Sequence, residues 1–212
     1  MMIKKVLQLI IVLTWMTNSV HSCSCGQQHP QDAFCSADYV FYGKAIKEKL
    51  IPGRPDDVHN NFATWNYTFE IIFKMKGVTE RVGHFVVIET AGNGARCGVR
   101  FTVGQSYILM GNKIDGIKEI GSCDFISQLS NISSYQTFYM FTRFRYSYNY
   151  NCRRGCKIGP NSEGCRFLEE NTDFTTDKCL ATKALCQRKG RRCRWVNHET
   201  CYPYVVMHTF HE

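Results

Sequence analysis

The sequence contains no apolar run long enough to cross a bilayer, no signature of a known catalytic centre and no odd cysteine. Each absence removes a class of function. The one extended apolar stretch runs from Val6 to Met16, broken by Gln8 and Thr14, and is too short for a transmembrane helix. A zincin would carry H-E-x-x-H, yet His198-Glu199 is followed by Thr200, Cys201 and Tyr202. A serine hydrolase of the elbow type would carry G-x-S-x-G, which does not occur. Gly92-Asn93-Gly94 lacks the flanking pattern of a phosphate loop and reads as a turn. The twelve cysteines can all pair, which leaves no expected thiolate for catalysis. No C-x-x-C pair recurs at a finger-like distance, so a structural zinc is not expected. Internal repeats and low-complexity tracts are missing as well. His208 and His211 read as part of a frayed tail rather than as metal ligands.

What is present begins at the N-terminus. Lys4 and Lys5, the apolar run and then Val20-His21-Ser22 have the layout of a secretory leader, residues 1–22, cut after Ser22. The product would be extracellular and would begin Cys23-Ser24-Cys25, and in that compartment the cysteines should form disulfides. Loss of Lys4 and Lys5 lowers the formal charge from +8 to +6. Such a mildly basic surface suits acidic polymers but is often only solvated. Asn66-Tyr-Thr68 and Asn131-Ile-Ser133 are glycosylation sequons.

Cysteine density divides the mature chain. Five cysteines are spread between Cys23 and Asn151, and seven crowd between Cys152 and Cys201. We therefore expect a core-forming domain over 23–152 and a disulfide-dependent one over 153–212. The first reads as mainly β. Strand signals lie at Tyr39–Ile46, Trp65–Phe73, Phe85–Ile88 and Tyr107–Met110, with a turn at Asp115-Gly116, and suggest about five short strands closing a small barrel. The polar stretch from Glu48 to Ala63 reads as a long exposed hairpin loop, a kind that is often functional. Helices are expected near Pro30–Ser36 and over Ser133–Tyr146, the latter with Phe138, Phe141 and Arg145 as a core-facing stripe.

The chemistry-bearing feature is the mature terminus. A first-position cysteine has a free amine and a carbonyl two bonds away, which together can chelate a metal through a five-membered ring. The amine's reference pKa of about 7.7–8.0 leaves a useful neutral fraction. The plain alternative is an ordinary disulfide that happens to lie near a cleavage point. A second feature is the cationic run Arg188, Lys189, Arg191, Arg192 and Arg194, either a sulfated-glycan or matrix contact or a solvated hairpin tip.

Cys23-Ser-Cys25 followed by His29-Pro-Gln-Asp-Ala-Phe-Cys35 closely resembles the start of the tissue inhibitors of metalloproteinases, with further matches at Phe73-Lys-Met-Lys-Gly77, Cys97-Gly98, Tyr107-Ile-Leu and Gly121-Ser-Cys123. The resemblance spans 23–152 and continues more weakly to about Trp195. It implies a five-stranded OB-fold (netrin-like) barrel with flanking helices, a small disulfide-rich C-terminal subdomain, and an inhibitor of secreted or membrane-anchored zinc metalloproteases rather than an enzyme. The implied bridges are Cys23–Cys97, Cys25–Cys123 and Cys35–Cys152. Sequence alone leaves 15 pairings of those six cysteines open. The implied protease-binding ridge is Cys23, Ser24, Cys25, Gly26 and Gln27 with Gly94, Ala95, Arg96, Cys97 and Gly98. There the Cys23 amine and carbonyl would meet the target's catalytic zinc, Ser24 would enter the first primed-side pocket, and no cofactor of the chain's own is needed. Gly94-Ala95-Arg96 departs from the usual composition of that loop, which bears on target preference. In the second part we expect Cys156–Cys193, Cys179–Cys186 and Cys165–Cys201. The alternative function is a netrin-like extracellular binding module without inhibitory activity. Neither a nucleic-acid partner nor a membrane span is expected.

Overall fold

The computed structural model describes residues 23–57, 61–168 and 173–202. The expected leader, His208 and His211 lie outside these residues. Its elements are α1 (Pro30–Ser36), β1 (Tyr39–Ile51), β2 (Thr64–Lys76), β3 (Phe85–Ala91), β4 (Ser106–Ile114), β5 (Ile117–Glu119), β6 (Phe125–Ser127), α2 (Ser134–Phe141), α3 (Tyr148–Arg153), α4 (Phe174–Lys183), β7 (Leu185–Lys189) and β8 (Arg192–Val196). No described helix is long and apolar enough to cross a membrane.

Six strands form one sheet in the order β1-β2-β3-β5-β4-β6, and β1 also pairs with β4 over Tyr39–Lys44. The pairings therefore run from β1 through β2, β3, β5 and β4 back to β1. Two expectations need correction. The sheet has six strands rather than five, because three-residue β6 joins β4 at Ile108–Met110. The expected loop from Glu48 begins only after Ile51, because Lys47–Ile51 pair with Thr64–Thr68. Lys47–Leu50, the β1 side of this ribbon, are exposed, so no apolar alternation marks that half of it. Asp115 and Gly116 both have positive φ and close the two-residue turn between β4 and β5, as a primed hairpin turn requires.

Strand alternation builds two cores at once. Tyr39 and Phe41 of β1, Tyr67, Phe69 and Ile71 of β2, and Leu109 of β4 point into one cluster. Val40, Ile108 and Met110 point the other way, against Phe34 of α1, Tyr139 and Met140 of α2 and Tyr148 of α3. Leu185 of β7 belongs to this second cluster. A third cluster, around Phe167, Leu180 and Trp195, is largely sulfur-bridged.

Ser133 and Gln136 form a reciprocal capping box that starts α2. The helix stops at Phe141 rather than Tyr146, and Phe144 then takes a left-handed φ of 66°. The expected core stripe holds only at Phe141, which packs against the second cluster: Phe138 is 53% exposed, Arg145 is exposed, and Tyr139 and Met140 are the buried residues. No glycine or proline marks the stop, so local composition gave no warning of it.

All twelve cysteines are paired. Cys23–Cys97, Cys25–Cys123, Cys35–Cys152 and Cys156–Cys193 are bridged. The other two pairs are exchanged relative to expectation: Cys165 joins Cys186 and Cys179 joins Cys201. The reason lies in backbone packing. A side chain at Gly164 would come within 1.7 Å of the Cys193 carbonyl, so only glycine lets this loop lie on β8. That approach brings Cys165 to Cys186, whose partner across the hairpin is Trp195. Cys179, on α4, is left to meet Cys201 after β8.

One buried seam ties α1 to the chain after Cys152. The side-chain amide of Gln31 donates to the Cys186 carbonyl and accepts from its N–H, both at 2.8 Å. His29 caps α1 by accepting from the Gln31 N–H at Nδ1, so Nε2 carries the proton and donates to the Leu180 carbonyl at 3.1 Å. Burial drives its imidazole from the ordinary 6.5 down to about 4, against the Leu180 hydrogen bond, which favours the proton. The folded state thus binds this proton less readily than the unfolded state. The stabilisation is complete above about pH 6.5 and is lost as pH falls towards 4. Between pH 7 and 4 the residue should remove about 3 kcal/mol of stability. Denaturant unfolding of the His29→Gln variant should show a shallower acid slope than the wild type over this window. Parallel slopes would contradict this assignment.

Candidate functional site

The described chain opens on a segment without regular structure. Cys23 is half-buried, and residues from Ser24 to Gln28 are exposed before the chain enters the core at His29. With no ladder to hold it, this segment depends on its bridges. Cys23 joins Cys97 and Cys25 joins Cys123, with Cα–Cα distances of 5.5 and 5.1 Å. The two receiving loops are themselves joined, since the Ser122 N–H donates to the Cys97 carbonyl at 2.8 Å. Asp124 closes its loop by accepting from the Gly121 N–H at 2.7 Å. Burial raises the Asp124 carboxyl above its ordinary value, partly offset by that hydrogen bond.

The loop around Cys97 is built residue by residue. Gly94–Arg96 is a 3-10 turn capped by Asn93, whose Oδ1 accepts from the Arg96 N–H at 3.1 Å. Cys97 adopts a left-handed φ of 60° and returns its N–H to the Gly94 carbonyl at 3.1 Å. Gly98 donates to the Asn93 carbonyl at 2.9 Å and passes so close to β3 that a Cβ would sit 2.0 Å from the Ala91 carbonyl oxygen.

The loop after β1 also reaches this place. Asn93 Nδ2 donates to the Asn61 carbonyl at 3.1 Å. Two guanidinium groups lie over the Phe62 ring, Arg54 at 5.2 Å and Arg96 at 5.7 Å from its centroid, and the ring remains 54% exposed. Arg54, Asn61, Phe62 and Asn93 were not singled out from sequence. Loop length was the only signal for the first three, because their contacts use a backbone carbonyl and a ring face that no motif encodes. Arg100 is stacked over Trp65 of β2 at 4.0 Å.

The arrangement presents an exposed segment bridged to an exposed, hydrogen-bonded turn. A metal site is not offered by the sulfur atoms of Cys156, Cys186 and Cys193, which lie within 4.8 Å of one another, because each is already in a disulfide.

A family profile described as "Tissue inhibitor of metalloproteinase" matches residues 21–201. The chain belongs to this family. Among its relatives, "Metalloproteinase inhibitor 2" of Homo sapiens is 31% identical over 195 residues, covering 88% of this chain and 86% of that protein. "Metalloproteinase inhibitor 3" of Scyliorhinus torazame is 30% identical over 175 residues, 81% of this chain and 76% of that protein. "Metalloproteinase inhibitor 2" of Cricetulus longicaudatus is 33% identical over 183 residues, 82% of this chain and 91% of that protein. Proteins of the tissue inhibitor family are inhibitors, not enzymes.

The residues expected to form the protease-binding ridge are joined through the Cys23–Cys97 bridge. Ser24, Cys25, Gly26 and Gln27 are exposed on one side of the Cys23–Cys97 bridge, and Gly94, Ala95 and Arg96 are exposed on the other. Nothing lies within 4 Å of a side chain built at Gly26. Gly98 is different, because it shapes the loop from within. Of the two sequons, Asn131 is exposed, whereas Asn66 lies in β2 with its Oδ1 buried. The cations from Arg188 to Arg194 lie on the β7–β8 hairpin and share no residue with the ridge. Gly98→Ala should destabilise the protein by about 1–3 kcal/mol through forced displacement of the loop. Thermal unfolding reads this, and an unchanged midpoint would mean that the approach to β3 is relaxed in solution.

Proposed function

We propose that this chain is an extracellular inhibitor of zinc metalloendopeptidases, with Cys23 as the group that meets the protease's catalytic metal. The observation that carries the reading is the pair of bridges two residues apart that hold the exposed segment Ser24–Gln28 beside the exposed Gly94–Arg96 turn. The returning strand pairings support a closed OB-type barrel as its scaffold, and 153–212 is read as a separate disulfide-rich unit.

Removal of residues 1–22 frees the Cys23 amine. In its neutral form the amine nitrogen has a lone pair, and the Cys23 carbonyl oxygen lies two bonds beyond the α-carbon. Both can approach one metal ion together and take the place of the water that would attack a substrate. Because the bridges fix the terminus before docking, little ordering entropy is lost on binding. Ser24, exposed and next in the chain, is read as the group that enters the first primed-side pocket. No scissile peptide lies across the metal in this pose, so the inhibitor persists. Arg96, propped by Phe62, would favour targets with an acidic rim there.

The test adds one alanine ahead of Cys23 in the mature protein. An amide nitrogen cannot coordinate as the amine does, and the extra residue collides with the metal. Inhibition of a matrix metalloprotease should fall far more than tenfold while the melting temperature stays unchanged. A loss within about tenfold, roughly 1.4 kcal/mol, would contradict chelation. Absence of inhibition by the mature wild type itself would favour the netrin-like binding module.

A further inference from the structure

We propose that the recess between α1, β2 and the α2–α3 connection binds a small amphipathic anion, a carboxylate carried on an apolar body. The site shares no residue with the protease-binding ridge, so its test is separate from that of the protease reading.

The first pointer is the backbone of the connection. Phe144 has a left-handed φ of 66°, where a bulky side chain is an outlier and glycine would sit without strain. Its neighbours impose this conformation. The Ser147 N–H and hydroxyl both donate to the Phe144 carbonyl, at 3.0 and 2.9 Å. The next carbonyl, that of Arg145, accepts from the buried side-chain amides of Asn151 at 2.9 Å and Gln187 at 2.8 Å. Backbone strain held in this way clusters at ligand clamps and active sites. Burial does not account for the ring, because Phe144 is 81% exposed. Its place on the wall of a recess does.

That recess measures about 420 Å³, within the ~300–1,000 Å³ usual for small-molecule sites. One wall is apolar: Phe34, Phe73, Met75, Met140 and Phe141. Phe34 and Met140 are fixed in the second core cluster, and the Phe73 and Phe141 rings pack at 5.0 Å, so this wall is formed before any ligand arrives. The other wall is cationic. Arg143 and Arg153 are exposed, and neither side chain has a hydrogen bond, ion pair or ring contact among the described residues. The Asn149 amide beside them also has no partner among the described residues. No carboxylate of the protein lines the recess to neutralise the two guanidinium groups.

The two walls together choose the ligand. Guanidinium groups bind a carboxylate through paired N–H donors, and the Asn149 amide supplies a further donor. The apolar wall favours an alkyl or aromatic body, which an inorganic anion does not have. A neutral apolar molecule would cover the same wall but leave both cations unmatched. An apolar body ending in a carboxylate satisfies both, with the Phe144 ring closing over it from the lip.

The experiment titrates decanoate, below its micellar concentration, into protein labelled with 13C at the methionine methyl groups. The Met75 and Met140 methyl signals should shift together and saturate. Decanol and acetate, which keep only the chain or only the charge, should each bind at least tenfold more weakly. Arg143→Ala/Arg153→Ala should lose at least tenfold in decanoate affinity, while the charge-matched control Lys47→Ala/Lys49→Ala, at exposed positions of β1, should stay within twofold of wild type. Phe144→Gly removes both the ring and the strain. It should bind decanoate at least fivefold more weakly with a melting temperature that is unchanged or higher, a combination that a purely structural residue would not give. Unshifted methionine signals, decanol binding as tightly as decanoate, or equal losses in the two double variants would each overturn the proposal. The wild-type comparison of decanoate with decanol decides the question even if a variant fails to fold.

Discussion

The architecture around Cys97 depends on one constraint: a segment that makes no secondary structure, Cys23 to Gln28, is bridged twice within three residues. Residues Ser24 to Gln28 are exposed and lie in no sheet, so noncovalent contact alone would leave them mobile. The bridges span sequence separations of 74 and 98 residues. Loop-closure entropy alone assigns each about 4–5 kcal/mol through the unfolded chain. Their second effect is positional. The Cys97 carbonyl accepts from Ser122, which joins the two receiving loops; Asn93 and Asp124 close them internally, and Gly98 packs on Ala91 of β3.

The inner end of this segment is held by different physics. His29 and Gln31 are fully buried and give their polar atoms to backbone groups of the chain after Cys152. Phe167 and Trp195 surround the imidazole. A buried polar seam of this kind holds only when every partner is in place, which makes it sensitive to the charge on one ring. The exposed Ser24–Gln28 segment and the C-terminal hairpin are therefore connected through a few residues of α1.

Much of this was legible in the sequence because its signals are local. Ser133-Ser134 announces a helix start, Asp115-Gly116 a hairpin, and the alternation at Tyr67, Phe69 and Ile71 a half-buried strand. The Cys23-Ser-Cys25 terminus with His29-Pro-Gln carries the family resemblance, and with it the ridge. What escaped is non-local or too short. β5 and β6 have three residues each and cannot display a period of two. The exchange among the last cysteines follows from the backbone contact between Gly164 and Cys193, which no spacing rule contains. Asn61 and Phe62 reach the loop around Cys97 from more than 30 positions away, one of them through a main-chain carbonyl. The end of α2 at Phe141 reflects tertiary packing that overrides helical propensity.

The most direct test of a preorganised ridge is the dissociation rate of a Cys23→Ser/Cys97→Ser variant from a matrix metalloprotease, measured where circular dichroism shows the variant folded. An N-terminal serine keeps the amine and the carbonyl, so the chelating atoms survive while the tie to the Gly94–Arg96 turn is lost. Ordering a freed terminus on binding should appear as dissociation faster by about tenfold or more, with association little changed. A folded variant that dissociates at the wild-type rate would show that the bridge is only a staple and would contradict the account.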